Sequence, residues 1–555
     1  MNLDNTYSFF YTNNSMYKYP VKNIFMQSFS TNVKGEYMSS RVLKKIIDNC
    51  ISFPNRIAYF TEIKSGDEYR KLDLTYEELG RYSLGISNYI KEHLSSRKPV
   101  IVIGHKHPYL ITSFVGCSRS GRAYVPVDSG FPIARIKDII DTVEPELVIC
   151  TDDSIEADFE VNTIYKNDIE DIIKNQQAMD DESSWVADED DYYIIFTSGS
   201  TGKPKGVKLS SNCLDNFIDW AVTLKGDGSL DDGRHRVYIN QAPYSFDLSV
   251  FDLYMALSTG GTIGAITKDL QSDMEEMYRF IELMDPNIWI STPSFAEIAL
   301  IGDVFNQKLI PNLEEFIFCG ETLANNTAKK LSDAFPKALV INTFGPTEST
   351  VAVTGIIVDK EIREKYNPLP IGIAKPGTYI YIMDEEGNIL PDGEKGEIVI
   401  VGDTVSPGYW NNKEKTKEAF GVMNFNGVNQ RLYHTRDKGY YMDGLLFYSG
   451  RLDLQIKLHG YRIEIEDIER NLMNVSGIER AVVLPDYVDG EVSSLTAYVV
   501  SKNEIKSTLK ERRRIREELK RFIPEYMVPR NFVFKESLPV TNNGKVDRKK
   551  LEANR

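Results

Sequence analysis

From residue 41 onwards, hydrophobic positions follow two alternating patterns. The segment VLKKIIDNC (42–50) has the spacing typical of a helix, whereas KPVIVIGH (98–105) is a short apolar run. Two similar runs, LVICTD (147–152) and YYIIFTSGS (192–200), also lead into polar turns. Strands that alternate with helices predict an α/β fold class with largely parallel sheets, whose ligands bind near the carboxyl ends of the strands. We therefore expect the loops after these strands to carry the chemistry.

The same patterns divide the chain into three predicted segments. Residues 1–40 are rich in Asn, Ser and Tyr with little periodicity, so we interpret them as an N-terminal extension. After residue 412 a strand-rich stretch leads into an order of strand, helix, strand, strand and helix, which opens with IKLHGYRIE (456–464). We predict a large domain over residues 41–452 and a small α+β domain over residues 453–555.

Composition and charge narrow the class of protein. A chain of 555 residues exceeds what one hydrophobic core supports, and 42% apolar residues exclude a disordered protein. With 65 basic and 81 acidic residues, the net charge of −16 repels phosphate polyanions, so we expect no nucleic acid among the partners. No apolar run reaches the ~18 residues that cross a bilayer, and the N-terminus lacks a signal-peptide pattern. We therefore expect no membrane insertion.

The cysteines indicate the redox environment. There are five, scattered and never in a CxxC pair: Cys50, Cys117, Cys150, Cys213 and Cys319. This spacing argues against a disulfide framework and against a zinc site. A cytoplasmic location fits best.

The polar turn after YYIIF continues as TSGSTGKPKG (197–206). Its glycines let the backbone approach a polyanion, its hydroxyls and amides can donate to phosphate oxygens, and Lys203 and Lys205 add positive charge. It is not a Walker A loop, because no Ser or Thr follows Lys203 and Pro204 prevents that lysine from opening a helix. A plain surface loop of small polar residues is the alternative. Ten such residues in a row favour a triphosphate site.

This loop resembles the signature loop of the adenylate-forming superfamily, which includes acyl-CoA synthetases, luciferases and peptide-synthetase adenylation domains. Further motifs resemble those of the superfamily in the matching order: GRAYVPVD (121–128), NTFGPTE (342–348), GRLD (450–453) and NGKVDR (543–548). The resemblance spans roughly residues 41–551. It implies a large N-terminal domain with mostly parallel sheets and a small, mobile C-terminal α+β domain.

The resemblance implies that ATP activates a carboxylic acid as an acyl adenylate, with Mg²⁺ as the metal. Negative charge concentrates as pyrophosphate leaves, so cations must surround the α-phosphorus. By resemblance, Glu348 holds the Mg²⁺ and Lys545 is the mobile cation of the small domain, and these two are the candidate catalytic residues. Phe344, where the family usually has Tyr, stacks on adenine.

The resemblance also places the sugar and the hinge. Asp437 accepts from the ribose hydroxyls, Arg451 supports the same region, and Asp453 is the pivot of the small domain. Relatives usually carry Gly where this chain has Arg436. The predicted ATP-binding set is Thr197, Ser198, Gly199, Ser200, Thr201, Gly202, Lys203, Lys205, Gly320, Glu321, Thr322, Asn342, Thr343, Phe344, Gly345, Thr347, Asp437 and Arg451.

The segment APYSFDLSVFD (242–252) resembles the substrate-pocket strand and helix of the family. Asp247 stands where amino-acid-activating members keep a carboxylate for the substrate ammonium group. A buried carboxylate beside apolar residues is costly without a cation, so an amino acid fits better than a fatty acid. The predicted substrate-binding residues are Asp247, Leu248, Phe251, Ser291, Ile317, Cys319, Val351 and Ala352. Leu248 and Phe251 are bulky and no second charge appears, which favours a small apolar amino acid.

Several stretches, including FIFCGE and NTFGPTESTVAVT, resemble the D-alanine–D-alanyl carrier protein ligases that begin the D-alanylation of teichoic acids. In that group the cysteine matching Cys319 lies against the substrate side chain and favours the D enantiomer. The resemblance implies D-alanine as substrate and the phosphopantetheine thiol of a separate carrier protein as acceptor. We expect a monomer, whose basic run KSTLKERRRIREELKRF (506–522) either attracts an acidic carrier or is a solvated helix face.

Two alternatives remain open. A stand-alone adenylation enzyme for another small amino acid, such as β-alanine or glycine, would share these motifs. A regulatory protein that binds nucleotide without catalysis is a second alternative, which Arg436 suggests and which the presence of Glu348 and Lys545 opposes.

Overall fold

The computed structural model describes residues 38–66, 68–155, 157–174, 180–198, 204–226, 230–425, 428–488, 491–502, 507–539 and 548–553. Ser39–Arg555 forms one compact unit. The predicted extension over residues 1–40 therefore lies outside the described residues except for its last three. Within the ranges given above, no helix combines the length and the apolar character that crossing a bilayer requires.

The strands are β1 (Ile57–Ser65), β2 (Glu68–Thr75), β3 (Val100–Ile103), β4 (Tyr124–Val127), β5 (Val148–Cys150), β6 (Thr163–Ile164), β7 (Asp191–Thr197), β8 (Lys205–Ser210), β9 (Val237–Asn240), β10 (Thr262–Ala265), β11 (Ile288–Ser291), β12 (Glu315–Phe318), β13 (Leu339–Phe344), β14 (Thr354–Ile357), β15 (Ile373–Ala374), β16 (Thr378–Met383), β17 (Gly396–Gly402), β18 (Gly408–Tyr409), β19 (Phe420–Phe425), β20 (Val428–Met442), β21 (Leu445–Arg451), β22 (Gln455–Leu458), β23 (Tyr461–Glu464), β24 (Ile478–Val488), β25 (Glu491–Ser501) and β26 (Asn531–Phe534). The helices are α1 (Arg41–Ser52), α2 (Tyr76–His93), α3 (Pro108–Arg119), α4 (Ile133–Val143), α5 (Lys166–Lys174), α6 (Ser211–Ala221), α7 (Leu248–Ser258), α8 (Lys268–Ser272), α9 (Met274–Met284), α10 (Pro293–Ala299), α11 (Asn325–Ala334), α12 (Lys360–Lys365), α13 (Lys413–Ala419), α14 (Ile465–Asn474), α15 (Thr508–Leu519) and α16 (Arg548–Ala553).

Two large sheets hold most of the chain before residue 380. One has the order β15-β14-β13-β12-β11-β9-β10-β1-β2 and is parallel from β13 through β1. The other has the order β18-β8-β7-β4-β3-β5-β6 and is parallel from β7 through β6. Apolar side chains fill the central strands on both faces, as buried parallel strands require. The predicted α/β class with mostly parallel sheets is confirmed.

A third sheet follows, with β16, β17, β20 and β19 in that order and β21 paired to β20, all antiparallel. Beyond β21, the elements β22–β26 and α14–α16 form what we call the C-terminal module. The order β24-β25-β26 makes its sheet, and α14 and α15 pack on a separate apolar core. The position of a domain boundary between residues 452 and 453 stays a prediction.

The segment IKLHGYRIE, predicted as one strand, is a hairpin of β22 and β23, so that prediction is wrong. His459 and Gly460 occupy the turn with φ of +51° and +81°. Positive φ at both turn residues is the geometry of a tight two-residue hairpin, which a glycine at the second position permits. The chain therefore reverses at the middle of a run whose apolar residues alone suggest a continuous strand.

Candidate active site

The predicted phosphate loop joins β7 to its antiparallel neighbour β8. Thr197 is the last residue of β7 and Lys205 is the first residue of β8. The Ser198 hydroxyl donates to the Arg462 carbonyl oxygen at 3.0 Å and accepts from the Glu464 N–H at 3.1 Å. The start of the loop is thereby bonded to the C-terminal module. The remaining predicted loop residues, Gly199, Ser200, Thr201, Gly202 and Lys203, lie outside the described residues.

Glu348 lies on a short 3-10 turn, Thr347–Ser349, and is fully buried. Its Oε1 accepts from Lys205 Nζ at 3.3 Å and from the Tyr409 hydroxyl at 2.9 Å, and its Oε2 accepts from Arg462 Nη1 at 2.5 Å. We call these four residues the Glu348 cluster. Burial alone would raise the pKa of Glu348, but Arg462 and Lys205 hold it well below its ordinary value. The carboxylate therefore stays ionised.

The hairpin that supplies the guanidinium of this cluster is docked on the residues around the predicted substrate segment. At its tip, the Gly460 N–H donates to Glu321 Oε1 at 2.6 Å. A Cβ on Gly460 would lie 2.3 Å from Thr292 Cγ2, so the approach requires glycine. Tyr461 meets Phe246 edge to face, with ring centroids 4.7 Å apart. Docking thus depends on close backbone approach and aromatic contact as well as on charge.

A cavity of about 300 Å³ gathers several of the predicted nucleotide-binding residues. Its lining includes Gly320, Glu321, Thr322, Thr343, Phe344 and Arg451, together with Gln455, Ile456, Lys457, Val483 and Arg548 of the C-terminal module. Tyr448 lies 6.1 Å from the Phe344 ring, centroid to centroid, and Lys457 Nζ lies 5.6 Å from the same centroid. An aromatic face in a cavity of this size suits a planar base.

Other predicted nucleotide contacts lie apart from this cavity or outside the described residues. The Asn342 amide donates to the Pro370 carbonyl at 2.9 Å, so its polar group is used within the fold. Lys545 is outside the described residues. Arg548, three positions later, donates to the Val483 carbonyl at 2.9 Å. The roles of Asn342 and Lys545 stay predictions.

Arg451 connects the predicted ribose and hinge carboxylates. Its Nη1 donates to Asp437 Oδ1 at 2.8 Å, while Nε and Nη2 donate to the two oxygens of Asp453 at 2.7 and 2.8 Å. Arg436 has φ of +61°, a left-handed conformation that favours glycine, and its N–H donates to Glu397 Oε1 at 2.8 Å. This φ gives a backbone reason for the glycine that the resemblance implies at that position.

A second cavity, of about 40 Å³, lies at the predicted amino-acid site. Its lining includes Asp247, Leu248, Cys319, Gly345 and Val351, with Phe246, Thr292, His459, Gly460 and Tyr461. The Thr347 hydroxyl donates to Asp247 Oδ2 at 2.6 Å, and burial raises the pKa of the Asp247 carboxyl. Among the described residues that line this cavity, Asp247 is the one carboxylate. A substrate cation would therefore gain a partner there, and the volume suits a small side chain.

Other predicted substrate-binding residues lie in the core beside this cavity. Phe251, Ser291, Ile317 and Ala352 are fully buried and do not line it, so their contact with substrate stays a prediction. The Cys319 thiol faces the Val351 carbonyl, with Sγ and O 3.4 Å apart. Burial raises the pKa of this thiol, which therefore stays neutral.

A second buried polar group supports the segment that carries Asp247. Lys106 Nζ donates to Asn240 Oδ1 and to the Ala242 carbonyl, and Asn240 Nδ2 donates to Asp252 Oδ1 at 2.8 Å. We call Lys106, Asn240 and Asp252, all fully buried, the Lys106 cluster. Burial lowers the pKa of Lys106 to about 7. The cluster joins the end of β9 to α7, and so fixes both ends of the segment that contains Asp247.

The arrangement of the Glu348 cluster does not fit Mg²⁺. Both oxygens of Glu348 are occupied by donors, two of which are cations. Over the described part of the chain, no group of three or more His, Cys, Asp or Glu side chains is placed to hold a metal ion. Mg²⁺ requires a near-octahedral shell of oxygens, usually with several waters. A buried carboxylate that already neutralises two cations does not supply such a shell.

Sequence reasoning missed Tyr409, Arg462 and the tip of the hairpin. Arg462 is 114 positions from Glu348 along the chain, and Tyr409 is 61 positions away. No local pattern connects residues so far apart. The one available signal was the His459-Gly460 pair, which is typical of a turn and would have placed a hairpin there.

Comparisons with known proteins identify the family and several relatives of this chain. Residues 48–410 match the AMP-binding enzyme family, and residues 467–545 match the AMP-binding enzyme C-terminal domain. The D-alanine–D-alanyl carrier protein ligase of Listeria welshimeri is 45% identical over 492 residues, which are 87% of this chain and 94% of that protein. The ligase of the same name from Bacillus cereus is 42% identical over 514 residues, 92% of this chain and 99% of its own.

Solved structures share the fold. A Vibrio cholerae adenylation domain in complex with glycyl-adenosine-5′-phosphate matches with a TM-score of 0.73 and 21% identity, over 94% of this chain and 99% of its own. A peptide-synthetase protein with adenylation and carrier-protein domains matches with a TM-score of 0.76 and 22% identity, over 93% of this chain and 85% of its own.

Proposed function

The chain belongs to the AMP-binding enzyme family, and we propose that it activates D-alanine with ATP and passes the D-alanyl group to the thiol of a separate carrier protein. It is an ATP-dependent ligase that forms AMP. The observation that carries the choice of substrate is the cavity of about 40 Å³, whose lining includes both the Asp247 carboxylate and the neutral thiol of Cys319. The two relatives named above, both D-alanine–D-alanyl carrier protein ligases, support it.

In the first half-reaction, a substrate carboxylate oxygen attacks the α-phosphorus of ATP, and pyrophosphate leaves. Asp247 holds the ammonium group, which directs the carboxylate away from it and towards the phosphate loop. Phe344 supports the adenine ring, and Lys205 lies at the start of β8 as a cation near the phosphates. We assign Lys545 as a second cation near the phosphates, in addition to Lys205. The contacts of Glu348 do not fit a metal ion, so we assign none of these roles to a metal.

In the second half-reaction, the carrier thiol attacks the carbonyl carbon of the adenylate, and AMP leaves. The phosphopantetheine thiol belongs to a separate carrier protein. The carrier therefore has to dock on exposed residues of this chain. Arg512 and Arg513 of α15 are exposed, whereas Arg514 is paired with Glu511 and Glu518. We assign the exposed arginines to an acidic carrier. Monomeric state and cytoplasmic location complete the proposal, and the buried free thiols of all five cysteines support a reducing compartment.

The test of the substrate is pyrophosphate exchange over D-alanine, L-alanine, glycine, β-alanine and propionate. We expect D-alanine to have the highest kcat/KM. Cys319→Ala should relax the D-to-L discrimination, since a difference of one methyl position is worth ~1–3 kcal/mol. The nearest matched control is Cys213→Ala, which removes a buried thiol that does not line the cavity.

The same panel decides between the alternatives. A preference for glycine or β-alanine would identify another small-amino-acid enzyme, and no exchange with any acid would indicate a silent nucleotide-binding protein. Activation of propionate as good as that of alanine would show that Asp247 does not bind an ammonium group. Asp247→Asn should raise the amino-acid KM while the ATP KM stays unchanged, because the ammonium loses its buried counter-charge.

A further inference from the structure

Lys106 holds the segment 242–247, whose last residue is Asp247. This lysine lies in the loop between β3 and α3 and has no exposed surface. Its Nζ donates to the Ala242 carbonyl at 2.5 Å, and the same nitrogen lies 4.6 Å from the centroid of the Tyr244 ring. Lys106 therefore contacts the first half of the segment at two places.

The contacted residues belong to the wall of the amino-acid cavity. Ala242 lines the cavity of about 40 Å³, together with Pro243, Phe246 and Asp247. Lys106 is not among the described residues that line it. Any effect of Lys106 on a substrate in this cavity must therefore pass through the segment.

Lys106 is itself fixed by two strands of one sheet. Its carbonyl accepts from the Tyr59 hydroxyl of β1 at 2.9 Å, and its Nζ donates to the side chain of Asn240 at the end of β9. Asn240 also donates to Asp252 of α7, the helix that begins directly after Asp247. The segment is thus held at its start by Lys106 and at its end by α7, and both are connected through Asn240.

The Asp247 carboxylate depends on this backbone for its place. Its Oδ2 accepts from the Thr347 hydroxyl at 2.6 Å. It makes no side-chain hydrogen bond to the start of α7, all of whose residues are described. A carboxylate placed mainly by its backbone moves when the backbone shifts, and a misplacement of about 1 Å can cost roughly 10²-fold.

We propose that Lys106 is a positioning residue for recognition of the substrate amino group, because it holds the segment 242–247 where the Asp247 carboxylate meets an ammonium group in the amino-acid cavity. The inference rests on the proposed function, since it takes the pairing of Asp247 with an ammonium group from there. A residue with this role strengthens the binding of an amino acid and leaves the binding of an acid without an amino group almost unchanged.

The experiment compares D-alanine with propionate, which is the same acid without the amino group. Pyrophosphate exchange gives the KM for D-alanine, and propionate enters as a competitive inhibitor, so that its binding is measured even where it is not activated. In Lys106→Met we expect the D-alanine KM to rise roughly tenfold or more, with little change in the inhibition constant of propionate or in the ATP KM. A protein that is merely less stable contains less active enzyme, which lowers the maximal rate and leaves all three constants unchanged.

The matched control is Lys375→Met, which removes another buried lysine. Lys375 Nζ donates to Asp403 Oδ1 at 2.5 Å and to the Pro376 carbonyl at 3.0 Å, and Lys375 is not among the described residues that line the amino-acid cavity. This variant should leave the D-alanine KM as in the parent. The proposal is overturned if Lys106→Met raises the D-alanine KM no more than Lys375→Met does, or if it raises the inhibition constant of propionate by the same factor.

Tyr59→Phe tests the same contacts with a smaller change, which keeps the proposal testable if Lys106→Met does not fold. It removes the hydroxyl that is bonded to the Lys106 carbonyl and leaves the side chain of Lys106 intact. We expect a smaller rise of the D-alanine KM, again without a change for propionate. An unchanged D-alanine KM in this variant would also overturn the proposal.

The parent protein separates failure of this inference from failure of the proposed function. If the parent binds propionate as tightly as D-alanine, Asp247 does not recognise an ammonium group, and the proposed function fails together with the role of Lys106. If the parent prefers D-alanine and Lys106→Met keeps that preference, the proposed function stands and the role of Lys106 alone is refuted.

Discussion

Two of the buried polar groups described above, the Lys106 cluster and the Glu348 cluster, have similar composition and different construction. In the Lys106 cluster, Asn240 of β9 bridges Lys106, from the loop between β3 and α3, and Asp252 of α7. In the Glu348 cluster, Lys205 comes from such a sheet, but Arg462 comes from the C-terminal module. The first group has no part that can leave without opening the core. The second takes one of its two cations from a part of the chain that has its own apolar core.

The difference shows that a buried polar cluster can either lie within one part of a fold or join two parts of it. Removing one member of a buried pair is costly because the other charge stays unpaired in a medium of low polarity. That penalty protects the Lys106 cluster, where no water can reach the remaining charge without unfolding. In the Glu348 cluster two cations share the carboxylate, so Lys205 remains beside Glu348 when the Arg462 contact is removed. Similar buried polar chemistry therefore lies between β9, α7 and a neighbouring loop in one region and joins the C-terminal module to the rest of the fold in the other.

The largest effect should follow from breaking the Lys106 cluster. Lys106→Met should lower the free energy of unfolding by about 3 kcal/mol, because two buried acceptors, Asn240 Oδ1 and the Ala242 carbonyl, lose their donor at about 1–3 kcal/mol each. Urea denaturation measures this change. Lys106→Met/Asp252→Asn should not recover it, because the same two acceptors still lack their donor. Arg462→Ala is the comparison variant and should cost less, because Glu348 keeps Lys205 as a buried cation. Equal costs for Lys106→Met and Arg462→Ala would contradict the distinction between the two groups.

The second prediction concerns a cation that the C-terminal module is expected to deliver. Lys545→Ala should slow adenylate formation by about 10²–10³, the usual loss for one preorganised transition-state contact. Transfer from preformed D-alanyl-AMP to the carrier should change little, because no pyrophosphate leaves in that step. Single-turnover assays of the two half-reactions measure the contrast. An equal loss of rate in both half-reactions would show that Lys545 does not act specifically in adenylate formation.

The third prediction uses another contact of the C-terminal module with the large sheets. Asp467 of α14 is fully buried, and it forms an ion pair with Arg135 of α4 at 3.7 Å. Burial raises the pKa of Asp467 to about 6, and Arg135 does not compensate, unlike the two cations around Glu348. Between its ordinary pKa of 3.8 and about 6, the folded protein binds more protons than the unfolded chain. Stability should therefore fall as pH rises through this window.

Urea denaturation at about pH 4.5, 5.5 and 6.5 measures how the free energy of unfolding changes with pH. Asp467→Asn removes the titrating group and should flatten its share of the pH dependence. Glu466→Gln, a neighbouring exposed carboxylate, is the matched control and should leave the slope unchanged. A slope that Asp467→Asn leaves intact would mean that this carboxyl does not titrate in the window.

The smallest effect should come from charges that are not buried at all. Arg512→Glu/Arg513→Glu should slow carrier loading and flatten its salt dependence, with pyrophosphate exchange unaffected, because exposed charges act mainly on the rate of encounter. Loading is measured at low and high salt against Lys360→Glu, which reverses an exposed charge far along the chain from α15. Identical loading of variant and parent at low salt would leave the run as a solvated helix face.

Local pattern predicted the parts of this fold that depend on short stretches of chain. The spacing of residues 42–50 matches α1, and the apolar runs before Gly104, Thr151 and Ser198 are β3, β5 and β7. Each of these elements buries one contiguous set of apolar residues, so the sequence contains the whole signal. The predicted nucleotide and substrate residues came instead from motifs, and the structure brings Phe344, Glu321 and Thr322 to one cavity.

The hydrophobic pattern along the chain could not show which distant residues form hydrogen bonds or ion pairs with each other. Lys205 and Glu348 are 143 positions apart, and Ser198 and Arg462 are 264 positions apart. Their contact depends on how a separate module seats on the large sheets, and no hydrophobic period encodes that. The wrong prediction of one strand at 456–464 has a similar cause, because Gly460 interrupts a run of β-forming residues without changing its apolar pattern.

The link between β21 and β22 has a consequence for how this protein should be handled in solution. Only residues 452–454 separate Arg451, which is bonded to Asp437, from the strand that leads to Arg462. A tether this short gives the guanidinium an effective concentration near Glu348 of about millimolar or more. Guanidinium ions supplied as denaturant reach far higher concentrations, and they are chemically the same group. We expect them to compete with Arg462 for Glu348, so urea is the better denaturant for measuring the stability of this protein.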